Sequence, residues 1–455
     1  MSAPPSSLRP YQLDLVARLY QAYRDGADAA CAQMPTGGGK THMAVEGVIV
    51  PSVAQGRRVL FVADLEEILL DTEARHLGAG LDTGLILDGK ATNPTAPVQI
   101  ASQQTLASWM KRGTPLPPCD RVILDECHIA GADTVRAMLG ILRGRGAKLL
   151  GLTATPARGD GVALDEFDAL VCGPQPRELV DLGALVPCEV MSPTEILEGV
   201  AMDPVDAVRA FASDRRAIVF ATTGAEATRI TAALCAMGQP ALAVLDDTKK
   251  AVRREARARL LAGDVQHLVT VRALQKGFDA PLIDTVVLTT VGTVTDWLQR
   301  IGRSLRPSSA TGKTSALVVD LRGGAMVHGL PLWDRTWTLS GRQGPAARPN
   351  LRRCLSCHAV FVPRATCPKC GSRHVSDPRP LRVQRAELAA QSNVPAHVLA
   401  ERAVQQATGV ILRRKPHLSH ANARFAALVG AAAWVREALG FHHVPRSRKE
   451  VARAV

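Results

Sequence analysis

From Tyr11 onward, short apolar runs alternate with stretches of helical period, the pattern of a parallel sheet covered by helices on both faces. A first series of strands is expected at residues 29–34, 59–63, 98–101, 122–124 and 149–152. A Gly-, Asp- and Pro-rich stretch follows Pro156, and a second series is expected at 217–221, 242–245, 267–271, 285–288 and 316–319. Segments 225–237 and 250–261 have the length and polar face of crossover helices. The chain therefore reads as two α/β lobes in tandem, and 455 residues suffice to give each its own core. SGRQGPAARPN at 340–350 reads as a linker, and the stretch beyond residue 380 as mainly helical.

Composition excludes several classes. The longest apolar candidate for a membrane span, around residues 425–435, is short, Ala-rich and followed at once by Arg436. The first residues, MSAPPSSLRPYQ, have neither a basic start nor an apolar core, so export is not expected and a cytoplasmic location follows. Six of the ten cysteines (Cys31, Cys119, Cys127, Cys172, Cys188 and Cys235) stand singly in apolar or motif segments and read as free thiols. The net charge of +13 is unevenly spread: residues 341–455 hold 20 Lys plus Arg against 5 Asp plus Glu, whereas the first 340 hold 35 against 37. An Arg-rich excess confined to one segment points to a polyanionic partner such as nucleic acid.

Candidate chemistry begins at MPTGGGKT, residues 34–41, between an apolar strand and a helical stretch. Gly37, Gly38 and Gly39 let the backbone turn its N–H groups inward, and the following helix offers its positive end to a phosphate. Lys40 would supply a point charge to the β and γ phosphates of a nucleoside triphosphate, and the Thr41 hydroxyl a ligand to Mg²⁺. Met34 stands where the general phosphate-loop template has glycine. Eighty-five residues after Lys40, the apolar strand RVIL runs into Asp125-Glu-Cys-His128. There Asp125 would hold the Mg²⁺ shell, Glu126 would orient the attacking water, and His128 would relay the γ-phosphate state to neighbouring loops. QRIGRSLR at 299–306 is expected at a helix start, which would put Arg303 and Arg306 on one face, able to converge on a triphosphate held by the other lobe.

Two CxxC pairs, Cys354/Cys357 and Cys367/Cys370, are nine residues apart among Arg352, Arg353, Arg364 and Lys369. Four thiolates at this spacing complete a closed tetrahedral structural Zn²⁺ site. His358 and His374 are adjacent extras. The cationic surroundings suggest that this knuckle lies on nucleic acid.

MPTGGGKT, LDECH and GLTATP (151–156) together resemble motifs one, two and three of the superfamily 2 helicases and translocases, in the DExH branch. LRPYQ at 8–12 resembles the group's glutamine motif, which implies that Gln12 reads adenine and so selects ATP, while Pro35 and Thr36 join the ATP-binding loop. Thr153 and Thr155 match the motif that couples hydrolysis to lobe movement, and Gln299-Arg-x-Gly-Arg303-x-x-Arg306 matches motif six, with Gln299 in a coupling place. The stretch 269–279 resembles motif five, implying ATP contacts by Gly277 and Asp279 and a nucleic-acid contact by Thr270, with Lys276 where many relatives have Glu. Ser102, Gln103 and Thr222 match nucleic-acid-contacting motifs, whereas 62–67, VADLEE, is acidic where relatives carry a basic contact. A motor of this kind with a four-cysteine element resembles the bacterial RadD-like group and phage-borne DEAD/DEAH-box helicases.

The resemblance implies two RecA-like lobes, at 1–160 and 161–335, then a linker at 336–350, a zinc element at 351–376 and a basic helical tail at 377–455. It implies an ATP- and Mg²⁺-dependent helicase or translocase, with DNA favoured over RNA and a role in repair, recombination or phage DNA metabolism. A motor subunit of a restriction system is compatible with the motifs, although no nuclease constellation accompanies them.

Overall fold

Eight strands form the first sheet: β1 (Ala29–Gln33), β2 (Val59–Ala63), β3 (Thr83–Leu87), β4 (Lys90–Ala91), β5 (Val98–Ser102), β6 (Arg121–Asp125), β7 (Lys148–Thr153) and β8 (Ala169–Cys172). Their order is β4-β3-β5-β2-β6-β7-β1-β8, parallel except for the β3–β4 pair. A second, wholly parallel sheet comprises β9 (Cys188–Met191), β10 (Ala217–Phe220), β11 (Ala241–Val244), β12 (His267–Thr270), β13 (Thr285–Leu288) and β14 (Ala316–Asp320), in the order β11-β12-β10-β13-β14-β9. This is a computed structural model, and it describes residues 7–373 except 65, 89, 131, 157–162, 194–198, 275–280, 341–350, 355 and 363, with Val404 and Thr408 beyond them. The chain divides into two compact units, Met1–His374 and Val375–Val455, and both sheets belong to the first. The basic tail, including the 413–415 and 446–449 clusters and the apolar stretch near 425–435, lies outside the described residues apart from the two just named. Among the described residues, no helix is long and apolar enough to cross a membrane.

Every residue of β1, β2, β5, β10 and β14 is buried, the condition of strands covered on both faces. Side-chain alternation sends Phe61 and Ile123 to one face with Leu15, Leu19, Met43 and Leu69, and Leu60, Val62 and Leu124 to the other with Leu106, Met138 and Leu142. In the second sheet Phe220 and Leu288 meet Trp297 and Ile301, while Val219 and Val287 meet Val208, Ile230 and Leu234. All parallel strands of a sheet end on the same side, and binding crevices form outside those carboxyl ends.

The division expected at residue 160 is not where the sheets divide. Residues 169–172 return to the first sheet as β8, parallel to β1. The Asp168 carboxylate fixes that return by accepting the N–H groups of Asp28 (2.9 Å) and Ala29 (2.8 Å). The linker expected from residue 336 is likewise packed at its start: Trp337 is buried, and Leu164 N–H donates to the Leu339 carbonyl at 2.7 Å. After the second lobe the chain thus crosses back to the first.

The four-cysteine element carries the hairpin β15 (Arg352–Arg353) and β16 (Val360–Phe361). It sits on the edge of the second sheet, where Ala359 bridges Met191 of β9, Val360 enters the core beside Val190, and Lys369 pairs with Glu189. Covering an edge strand in this way removes a row of unpaired backbone groups from solvent.

Candidate active site

The phosphate-loop glycines follow β1. Gly37 and Gly39 adopt φ of 91° and 86°, the left-handed region open to glycine at little cost. A helical run with one wider turn at Val45–Ile49 then begins at Lys40 and continues to Ala54. Upstream residues brace the loop: Tyr11 Oη donates to Gly38 O at 3.1 Å, and Gln12 Nε2 donates to the carbonyls of Gly38 (3.3 Å) and Gly39 (3.2 Å). Gln12 Oε1 accepts from Arg9 N–H at 2.9 Å, so both ends of the amide are engaged by backbone. In this arrangement Gln12 holds the loop's shape.

Asp125 ends β6, 7% exposed, and burial raises its pKa to about 6, with help from the Glu126 charge and opposition from Lys40. Lys40 is lowered chiefly by burial; Glu126 and Asp125 oppose the shift, while Arg306 and Arg303 reinforce it. Its ammonium donates to Met34 O at 3.3 Å. Glu126 has φ 48° and ψ 50°, a left-handed conformation that costs a non-glycine residue about 1–3 kcal/mol. That turn gives its carboxylate a different aim from that of Asp125. Glu126 Oε2 lies 3.3 Å from His128 Nδ1 and accepts from Gln299 Nε2 of the second lobe at 3.2 Å. His128 Nδ1 is in turn 3.3 Å from Thr153 Oγ1, which accepts the Thr155 N–H at 3.1 Å. Glu126, His128, Thr153 and Thr155 thus lie in one run of polar contacts that Gln299 extends to the second lobe.

Arg303 and Arg306 correct one expectation. The helix is Val294–Ile301, and both arginines follow it in the turn beyond Gly302, because the sequence closes a helix there instead of opening one. They nevertheless reach the cleft. A cavity of about 370 Å³ is lined by Lys40, Asp125 and Glu126 from the first lobe and by Arg303 and Arg306 from the second. Arg300 points elsewhere, over the Phe220 ring (5.2 Å to the centroid) and into a 2.6 Å hydrogen bond with Thr290 Oγ1.

The lobes approach closely at glycines. A Cβ on Gly302 would stand 2.5 Å from Thr36 Cβ, and one on Gly37 would stand 2.7 Å from Leu185 and 3.4 Å from Arg306 Cγ. Gly302→Val removes no polar group, yet it should prop the lobes apart. Because a misplacement of about 1 Å can cost ~10²-fold in rate, a steady-state ATP assay should show a large fall in kcat with ATP binding retained.

The remaining expected residues divide as follows. Pro35 and Thr36 line the interlobe face behind the loop, and Thr41 lines the cavity. Gly277, Asp279 and Lys276 lie outside the described residues. Ser102 ends β5, Gln103 begins the helix Gln103–Lys111, and Thr222 follows β10 with its hydroxyl held by Glu226. Thr270 ends β12, which runs between β10 and β11, and its hydroxyl is buried. Arg9, His42, Asp71 and Arg75 also line the cavity and were not anticipated. Asp71 and Arg75, one turn apart on the helix Glu66–Gly78, read in sequence like any solvated helix face.

The sulfurs of Cys354, Cys357, Cys367 and Cys370 lie within 4.8 Å of one another. Sulfurs around a single tetrahedral Zn²⁺ stand about 3.8 Å apart, and two pairs here, Cys354/Cys370 and Cys357/Cys367, are at 3.6 Å. The Ser372 hydroxyl, 3.2 Å from Cys354 Sγ, helps lower that thiol to about 5, while burial raises Cys357. Four sulfurs at this spacing are a donor set that fits a closed tetrahedral metal site. Arg352 and Arg353 stand half-buried on β15. Cys357→Ser should lower the melting temperature and leave ATP turnover per folded molecule largely intact. A loss per folded molecule equal to that of a phosphate-loop variant would contradict this separation.

Residues 5–158 match the family described as Type III restriction enzyme, res subunit, and residues 203–308 match the helicase conserved C-terminal domain. A curated relative, the type I restriction enzyme EcoAI endonuclease subunit of Escherichia coli, is 28% identical over 194 residues, 41% of this chain. The match spans only about a quarter, 24%, of that protein. Among solved structures, a fragment of a putative HsdR subunit of a type I restriction enzyme from Vibrio vulnificus YJ016 superposes with TM-score 0.57 at 23% identity, covering 71% of this chain and 67% of that one. The type ISP restriction-modification enzyme LlaBIII, bound to DNA, gives 0.51 at 17%, covering 70% and 28%. S. cerevisiae Dbp5, bound to RNA and ADP BeF3, gives 0.50 at 17%, covering 70% and 88%. With both matched domains in this order on two parallel-sheet lobes, the chain belongs to the superfamily 2 helicases.

Proposed function

We propose that the chain hydrolyses ATP between its two lobes and uses their closure to move along, unwind or remodel DNA. The observation that carries this reading is the single cavity bordered by Lys40, Asp125 and Glu126 from one sheet and by Arg303 and Arg306 from the other. Lys40 and the loop N–H groups would bind the phosphates. Glu126 would orient the attacking water and draw its proton. Arg303 and Arg306 would neutralise charge that develops as the γ-phosphoryl group leaves. Thr41 and Asp125 would hold Mg²⁺, which when bound neutralises phosphate charge. Gln299, bonded to Glu126 across the cleft, would report the state of the site to the second lobe. Four cysteinate ligands would bind Zn²⁺ as a structural ion. The six remaining cysteines, none of them disulfide-bonded, fit a reducing compartment such as the cytoplasm.

DNA is favoured over RNA by the restriction-enzyme relatives, one of which is described as bound to DNA, while the arginine excess after residue 340 suits either polyanion. ATP turnover by the full chain should be stimulated more by single-stranded or duplex DNA than by RNA of equal length, with Glu126→Gln as the inactive control. Preferential stimulation by RNA would transfer the substrate assignment. Equal turnover in wild type and Glu126→Gln would end the motor reading and leave a protein that only senses ATP.

A further inference from the structure

Lys313 belongs to none of the motifs, yet its side chain joins the two stretches of the second lobe that border the cleft. Its ammonium donates to three backbone carbonyls: Pro281 (2.7 Å), Ile283 (2.7 Å) and Ser304 (3.0 Å). An ammonium has three N–H groups, so these acceptors account for all of them. Pro281 lines the cavity and leads into β13, while Ser304 sits fully buried between Arg303 and Leu305 in the turn after the helix Val294–Ile301.

The lysine is itself held in place. Residues 308 and 313 form a β-bridge, with Lys313 N–H donating to Ser308 O at 3.2 Å, so the lysine's backbone is anchored two residues beyond Arg306. Burial lowers its pKa to about 8; Asp284 opposes the shift and Arg306 reinforces it. The three carbonyls satisfy the ammonium and so hold it against the turn that carries the arginines. Helix geometry does not fix the arginine turn, because the helix has already ended at Gly302.

We propose that Lys313 is a positioning residue for ATP turnover, stapling the turn that carries Arg303 and Arg306 to the segment that enters β13. This rests on the reading that those arginines complete the site. Lys313 touches no substrate; it acts through the arginines, and its loss should therefore matter only while they are present.

The test is a mutant cycle on the full chain, with single-turnover ATP hydrolysis at saturating ATP as readout and thermal melting as the check on folding. Lys313→Met keeps the stem and removes the donors. In the folded variant the rate should fall ~10²-fold, the penalty of displacing a catalytic group by about 1 Å, with the affinity for ATP changed little. In a background carrying both Arg303→Ala and Arg306→Ala, the same substitution should cost less than about threefold, since the groups it positions are gone. An equal fold loss in both backgrounds, or a folded Lys313→Met protein within about threefold of wild type, would overturn the proposal and leave a stabilising contact. If Lys313→Met melts below the assay temperature, Lys313→Arg carries the same cycle with the same outcomes, because a planar guanidinium fork cannot reproduce three converging ammonium bonds. Wild-type turnover by Arg306→Ala alone would refute the arginine reading itself, a result distinguishable from failure of the staple.

Discussion

Lys40→Ala should leave a folded chain that no longer turns over ATP. Lys40 is the phosphate loop's only side-chain cation, placed by a strand and a glycine turn whose shape depends on Gln12 and Tyr11 rather than on the lysine. Its ammonium is desolvated near two carboxylates and two guanidinium groups. In such a site a charge acts with little screening, and losing one donor to the reacting group costs ~10²–10³-fold in kcat. Losing the cation also strips the Asp125 carboxylate of a neighbour that favours its ionised form, so the effect should reach the upper end of that range or beyond. Steady-state phosphate release, with circular dichroism to confirm folding, measures it. Turnover within tenfold of wild type would mean that the loop does not hold the reacting phosphate.

Arg306→Ala should separate binding from chemistry. The groups proposed to grip the phosphates all belong to the first lobe, so nucleotide affinity should change by only a few-fold. The rate should fall ~10³–10⁵-fold if the guanidinium meets the transition state from the second lobe. Arg306→Lys should rescue poorly, because a point charge on a flexible stem does not reproduce the fork. Arg303→Ala should behave similarly, with an added stability cost, since Arg303 is 9% exposed and set within the lobe contact. A matched loss of binding and turnover would instead place these arginines in ground-state binding.

The parts of the fold visible in the sequence are those in which one residue pattern has one structural solution. Runs such as VLFVA and RVILD, buried on both faces, can only be interior strands, and the turn GGGKT after a strand has one geometry. The return of β8 was hidden because ALVC is short and follows a polar stretch that resembles a lobe boundary. The arginine turn was misplaced because apolar periodicity runs on to Leu305, while the helix stops at Gly302, where Thr36 of the other lobe leaves no room for a side chain. Gln12 was legible as a site residue, but its bonds to the loop carbonyls depend on a contact 26 residues away in sequence. Docking of the cysteine element on β9 depends on Val360 and Lys369, whose partners no local pattern names.

The account turns on where the two arginines stand when a triphosphate is present. The most direct measurement is a structure of the full chain with Mg²⁺, ADP and a γ-phosphate mimic such as beryllium fluoride. The predicted result has the mimic within hydrogen-bond reach of Lys40 and of at least one of Arg303 and Arg306, with Glu126 facing its open side. Lobes closed on the nucleotide with both guanidinium groups turned away from it would contradict the account.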